Sequence, residues 1–375
     1  MKKVVIAIDS FKGCLPSVEA GKAAAEGIRS VYPECEVICL PIADGGEGML
    51  DVLIMATNGQ EVPISAHDPL MRWRNTYYGI SENEETAFIE MASISGLPLV
   101  PPERRNPMLT TTYGTGEIIR DALERGCRNF IIGIGGSATN DAGLGMLQAL
   151  GFRFSDKEGK EVGTGRGEVL IKVAHIDSTC VHPALNSCRF TVACDVQNPF
   201  YGPEGAAYVF APQKGADREM VEALDAGLQN FAEVIRHTTG KDISHHPGAG
   251  AAGGMGGSLL AFLNAELKPG IQLMLEALDF SNKIKSADLI ITGEGKADRQ
   301  TLMGKVPSGI LAEARKQNIP VILLAGNIED SDELQQAGFE GVFSVNPPFI
   351  SLEEAMRPEV ARKNIQQTVE SICKK

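Results

Sequence analysis

The chain has 375 residues, 43% hydrophobic and 22% charged, the balance of a globular protein with room for about two domains. Its net charge of −13, without a basic run, argues against nucleic acid or an anionic membrane surface as partner, so an anionic substrate has to be met by local Lys or Arg or by a metal. No segment reaches the ~20 apolar residues that span a bilayer, and the apolar stretch in MKKVVIAIDSFKG is too short for a secretory leader, so the expected location is the cytoplasm.

Short apolar runs recur along the chain: VVIAI (4–8), VICLPIA (37–43), NFIIGIGG (129–136), FTVAC (190–194), DLIIT (288–292), PVILLAG (320–326) and GVFSV (341–345). Runs of this length without alternation predict strands buried on both faces, as in parallel sheets. Helical spacing falls between them, at 17–30 with Ser17 as the expected cap, at 116–126, at 303–317 and at 352–372. Strand and helix in alternation give an α/β fold. The clearest units lie at the two ends, so the expected architecture is two α/β domains. One is a doubly wound, mostly parallel domain built from residues 1–60 and 286–375, and the second, 61–285, is inserted into it. The middle is less regular, with prolines 63, 69, 98, 101, 102 and 107 in one segment.

Eight cysteines form no C-x-x-C and read as free thiols in the core, and six histidines include no H-E-x-x-H, so no zinc site is expected. Two stretches carry a dinucleotide-like glycine spacing. In GAGAAGGMGG (248–257) the lead-in DISHHP is no strand, and in NFIIGIGGSATND the hydroxyls of Ser137 and Thr139 and the acid Asp141 suit phosphate and metal better than a close-packed dinucleotide turn. No G-x-x-x-x-G-K-[ST] occurs, which excludes a P-loop.

The chemistry gathers where strands end. VVIAI runs into Asp9-Ser10-Phe11-Lys12-Gly13, VICLPIA into Asp44-Gly45-Gly46-Glu47-Gly48, FIIGIGG into Ser137-Ala138-Thr139-Asn140-Asp141, FTVAC into Asp195, and DLIIT into Gly293-Glu294-Gly295-Lys296-Ala297-Asp298. Ligands of α/β sheets bind outside the carboxyl ends of strands. Glycine-exposed amides cradle phosphate, while one or two carboxylates hold Mg²⁺ and leave its other positions to phosphate oxygens and water. Lys12, four residues past the first strand, is the cation best placed to reach a β- or γ-phosphate, with Lys214 in PQKGA and Lys305 in MGKVPSG ranked behind it. Arg105 precedes a Gly-rich helix start and could fork onto a carboxylate.

IAIDSFKG, PIADGGEG, TTYGTGE, IGGSATNDAGLGM, ACDVQNP, FAPQKGA, GAGAAGGMGG and ITGEGKADRQTLMGKVPSG occur in this order over essentially the whole chain, which resembles the bacterial type I glycerate kinases. The resemblance implies ATP-dependent phosphorylation of D-glycerate, with the 2-hydroxyl as acceptor, in the degradation of glyoxylate or aldaric acids. It also implies flavodoxin-like and restriction-endonuclease-like topologies for the two domains. Cys14 stands where the family often has serine. GAGAAGGMGG belongs to the same pattern and reads as a Gly-Ala loop that brings backbone close to substrate or phosphate.

The expected chemistry is direct transfer from Mg·ATP to glycerate. Lys12 contacts the transferred phosphate, Asp195 is general base or metal ligand, and Asp44, Glu294 and Asp298 share magnesium and hydroxyl binding, with Asp141 a further metal candidate. Ser10, Gly135, Gly136, Ser137, Thr139, Gly253, Gly254 and Gly256 supply substrate or phosphate contacts, and Arg105 meets the glycerate carboxylate. Spacing ranks none of Asp44, Asp141, Asp195 and Asp298 as the base. The rival readings are an NAD-dependent dehydrogenase of a small hydroxy acid and a non-enzymatic small-acid binding protein. Oligomeric state is left open, a homodimer included.

Overall fold

The computed structural model describes residues 1–46 and 48–374, so Glu47 of the PIADGGEG stretch lies outside the described residues. In chain order the strands are β1 (Lys3–Ile8), β2 (Glu36–Cys39), β3 (Gln60–His67), β4 (Trp73–Ile80), β5 (Thr86–Glu90), β6 (Asn129–Gly133), β7 (Arg153–Ser155), β8 (His175–Asp177), β9 (Arg189–Ala193), β10 (Glu266–Lys268), β11 (Leu289–Ala297), β12 (Val321–Ile328) and β13 (Gly341–Ser344). The chain falls into two compact units, a terminal one of Met1–Asp44 with Ile271–Lys375 and an inserted one of Gly45–Gly270. These seams differ from the expected ones near 60 and 286. The helix Met49–Ala56 packs on β4 and β5, which draws residues 45–60 into the insertion.

The terminal unit is a five-stranded parallel sheet in the order β13-β12-β11-β1-β2. Counted within the unit this is 2-1-3-4-5, the flavodoxin-like order. Val4, Ile6 and Ile8 pack with the helices Ser17–Val31 and Pro358–Cys373 on one face. Their neighbours Val5 and Ala7, with Ile290, are equally buried, and the helix Val306–Arg315 packs against β1, β11 and β12. Both faces are covered, which is why these strands read as unbroken apolar runs. The chain passes from β1 to β2 on one side, while β11 lies on the other, so the order reverses between β1 and β11.

One expected cap is corrected here. Ser17 lies inside its helix, after Pro16, and its hydroxyl donates to the Ile8 carbonyl at 2.6 Å and accepts from the Ile42 amide at 2.9 Å. It ties the end of β1 to the segment after β2.

The inserted unit holds a six-stranded mixed sheet, β10-β9-β6-β5-β4-β3, parallel from β10 to β5 and antiparallel from β5 to β3. Phe130 of β6 and Phe190 of β9 stack at 4.6 Å in its core. β7 and β8 form a separate antiparallel pair. Strands β3 to β5 come from the proline-bearing segment that shows no apolar run. Pro63 is tolerated because β3 is an edge strand with no ladder on its outer side. The helix Arg218–Thr239 was not apparent as a pattern either. It is capped by Asp217, which accepts from the Met220 amide at 2.9 Å, and it buries Val221, Leu224, Leu228, Phe231 and Ile235. Among the described residues no helix is long and apolar enough to cross a membrane.

Candidate active site

A cavity of about 350 Å³ opens at the carboxyl ends of β1 and β11, where the strand order of the terminal unit reverses. β1 delivers Asp9 at its end, and β11 runs on past its last pairing with β1, Ile8 to Gly293, so that Glu294 projects beyond the β1 terminus. Residues 11–15 close into a tight turn in which Phe11 and Leu15 exchange backbone hydrogen bonds at 2.8 and 2.9 Å. Gly13 takes φ +73° there, and Lys12 is left at the tip with its side chain 66% exposed. Gly295 and Gly326 face the cavity and contribute no side chain to fill it.

Among the described residues, three acids and three lysines line this hollow. Lys12 Nζ lies 3.6 Å from Asp44 Oδ2, and Lys305 Nζ lies 3.6 Å from Glu294 Oε2. Burial, then the charge of Asp44, push the Asp9 carboxyl up to about 7, against the pull of the Ser10 amide that it accepts from at 2.7 Å; Glu294 adds to the rise. Burial also raises Glu294, while Thr301 and Lys305 hold it down. Glu294 is oriented by a relay: the Asp298 amide donates to Thr301 Oγ1 at 2.9 Å, and Thr301 donates to Glu294 Oε1 at 2.6 Å. The Asp298 carboxylate caps the short turn Arg299–Leu302 by accepting from the Gln300 amide, and it lies 3.5 Å from Lys296 Nζ, outside the cavity lining.

Of the residues expected at the site, the cavity thus brings together Ser10, Lys12, Asp44 and Glu294, joined by Asp9. Asp298 lies in the same unit outside the lining, and the others belong to the inserted unit. Asp195 is exposed after β9, with Oδ1 accepting from the Gly270 amide at 2.8 Å. The loop after β6 carries Gly135 and Gly136 exposed, then turns inward at Ser137 and Thr139. It runs from 134 to 143 before the helix Leu144–Ala149 begins, unlike a dinucleotide turn, in which the helix opens directly.

Lys214 anchors that loop. Its ammonium is buried and donates to Ser137 Oγ at 2.7 Å and to the Thr139 carbonyl at 2.6 Å, and burial brings its pKa down to about 7 against the pull of Asp141. Thr139 Oγ1, both amide atoms of Asn140 and Nε of Arg105 are buried without a hydrogen-bond partner among the described residues. Such groups call for a ligand or water. Arg105 stands beside this cluster, since its carbonyl packs where a Cβ on Gly215 would lie.

Two expectations meet a packing role. Asp141, read as a metal candidate, is fully buried; Oδ2 accepts from the amide and hydroxyl of Thr112 at 2.8 Å each and from the Gly145 amide, and Oδ1 from the Gly143 amide. Four donors make it a brace between the loop after β6 and the helix Tyr113–Glu124. Gly253, Gly254 and Gly256 are buried, and a Cβ at Gly253 would lie 2.1 Å from the Thr139 carbonyl and one at Gly256 2.3 Å from the Gly248 carbonyl. Close backbone packing accounts for these glycines. Of the cysteines read as core thiols, Cys35, Cys127, Cys194 and Cys373 are buried, Cys14, Cys39 and Cys188 half-buried, and Cys180 exposed.

Comparison with known proteins decides between the readings. A family model described as the glycerate kinase family matches residues 4–375. The chain belongs to the glycerate kinase family. A glycerate kinase from Bacillus subtilis (strain 168) is 46% identical over 372 residues, covering 99% of this chain and 97% of its own. A glycerate 2-kinase from Escherichia coli (strain K12) is 47% identical over 356 residues, 95% of this chain and 93% of its own. A crystal structure described as a glycerate kinase 2 from Salmonella typhimurium LT2 superposes with a TM-score of 0.91 at 44% identity, over 100% of this chain and 97% of that one. Membership makes this chain a kinase, an enzyme that takes a nucleotide as phosphoryl donor, and disfavours the dehydrogenase and binding-protein readings.

Proposed function

We propose that this chain phosphorylates D-glycerate with ATP, releasing ADP and 2-phosphoglycerate. The observation that carries the reading, beside family membership, is the cavity at the strand-order reversal that gathers Asp9, Asp44 and Glu294 with lysines, two of them ion-paired to these acids. In the proposed reaction the 2-hydroxyl oxygen bonds to the γ-phosphorus, the bond from that phosphorus to the ADP oxygen breaks, and the hydroxyl proton passes to a carboxylate. Little covalent chemistry is asked of the protein, which positions the reactants and neutralises charge.

The donor set fits magnesium. Asp9 is held up by burial and by its neighbours Asp44 and Glu294, a crowding that a cation relieves. A hard cation takes one or two carboxylates and completes its shell with phosphate oxygens and water, and the acids of this cavity can supply those carboxylates. Asp44 and Glu294 are the proposed ligands, and the ion would supply neutralisation of the polyphosphate charge. Asp298, through Thr301, keeps Glu294 oriented. Lys12 is proposed to contact the transferred phosphoryl group and Asp195 to take the hydroxyl proton. Gly135, Gly136, Ser137 and Thr139 are proposed for substrate contacts, with Arg105 on the carboxylate.

A coupled ADP-release assay with D-glycerate, tartronate and hydroxypyruvate tests the activity, and phosphorus NMR of the product tests the position. Magnesium-dependent turnover of D-glycerate with a 2-phospho product is expected. A 3-phospho product corrects the acceptor alone, and no ADP release with any of the three acids removes the reading.

A further inference from the structure

We infer that the cavity of the terminal unit is the nucleotide site, with a purine ring seated on the wall formed by Cys14, Leu352, Ala355 and Met356 and the phosphates directed toward Lys12 and Lys305. The inference rests on the kinase reading and adds which unit holds the nucleotide and how it is turned.

The lining of the cavity combines two chemistries: the carboxylates and ammonium groups already described, and these four side chains, among which Cys14 Sγ lies 3.9 Å from the Ala355 carbonyl and Met356 Cε packs against the position a Cβ on Gly13 would take. Glycerate bears an oxygen on each of its three carbons and has no face that such a wall would complement. A nucleoside triphosphate has both kinds of surface, a polyanionic end and a flat apolar ring. A volume of about 350 Å³ falls within the range of small-molecule sites.

The apolar side is also unusually open to water. Leu352 is 76% and Met356 40% exposed. Methionine suits an aromatic occupant, because its polarisable sulfur makes favourable contacts with rings. Phe349 supplies an independent sign. It stands three residues from Asn346 and three from Leu352, both of which line the cavity, and its ring is fully exposed while its backbone is held at φ +70°. A bulky residue in the left-handed region is strained, and strain of this kind clusters at ligand clamps. An exposed ring three residues from two lining positions is available to stack on a base.

The test separates base from phosphate. Affinities of Mg·ADP and of magnesium tripolyphosphate are measured by calorimetry for the wild-type protein and for a Leu352→Ser, Met356→Ser double variant. Loss of the two apolar contacts weakens ADP about tenfold and leaves tripolyphosphate unchanged, since only ADP uses the wall. In parallel, iodoacetamide labelling read by mass spectrometry follows Cys14, with exposed Cys180 as control. Saturating Mg·ADP protects Cys14 and not Cys180. Should the variant fail to fold, protection of Cys14 in the wild-type protein decides the same question. Unchanged ADP affinity in the folded variant, or an unprotected Cys14 under saturating ADP, overturns the placement and leaves the kinase reading standing. No ADP binding at all overturns both.

Discussion

Replacing Lys214 with methionine tests the buried cation that anchors the loop after β6. The change keeps most of the side-chain volume and removes the two hydrogen bonds to Ser137 and Thr139. Moving an ammonium from 10.5 to about 7 corresponds to about 5 kcal/mol against its charged form. Because the folded pKa is lowered, the unfolded chain binds this proton more tightly. The penalty is therefore complete below pH 7 and disappears as pH rises toward 10.5. Stability of the wild type relative to Lys214→Met should climb with pH, by roughly 2 kcal/mol between pH 7 and 9, because the group is already half deprotonated at pH 7. For a unit of this size that is about 6 °C in Tm. Trp73, the single tryptophan, lies on β4 of the same unit and reports its unfolding by fluorescence. Melting curves of both proteins across pH 6 to 9 give the difference directly, and groups common to both cancel. Parallel dependence of the two midpoints on pH would refute the account of Lys214 as a cation held against its hydration.

Lys12→Ala should lower kcat about 100-fold with KM for glycerate little changed, read in the coupled ADP assay, because the lost charge acts on the developing phosphoryl group. Asp195→Asn in the same assay should lower kcat as well, and full turnover would remove its assignment as base. Glu294→Gln should raise the magnesium concentration for half-maximal rate about tenfold or more, with the maximal rate recovered in part at high magnesium. Gly253→Ala should destabilise the inserted unit by ~2 kcal/mol or more, seen by urea unfolding, since a Cβ meets the Thr139 carbonyl at 2.1 Å and the backbone sits at φ +67°.

The parallel strands were legible because burial on both faces removes polar residues from them, as in VVIAI and FTVAC. β3, β4 and β5 were not, since an antiparallel meander ending at an edge tolerates Pro63 and the exposed run of Trp73–Asn75. Ser17 carried the sequence mark of a cap, yet the hydroxyl found partners on two strands, a tertiary demand that local pattern does not contain. The charged part of the candidate site could be read from residues that come just after apolar runs: Asp9, Lys12, Asp44 and Glu294. Its apolar side could not. Leu352, Ala355 and Met356 arrive after the last strand, in a stretch whose helical spacing looks like any amphipathic segment, and only the fold turns them toward Asp9. Lys214 in PQKGA read only as a weaker phosphate cation than Lys12; its role as a buried anchor was not legible, because burial of an ammonium depends on the carbonyl and hydroxyl that other segments bring to it.

The terminal sheet is stitched from the two extremes of the chain, as the contact between the Lys3 amide and Asp288, 285 residues apart, makes plain. On a ribosome, β1 and β2 emerge first, and the far edge of β1 has no partner until β11 follows. The contiguous segment 45–270 is complete and free to fold while that apolar edge is still open. A nascent chain stalled before residue 289 would expose a bare Val-Val-Ile-Ala-Ile strand, a template for pairing with its neighbours on a polysome. The interval of exposure therefore runs from the emergence of β1 to that of β11, and the sheet closes only when the strand Leu289–Ala297 is made.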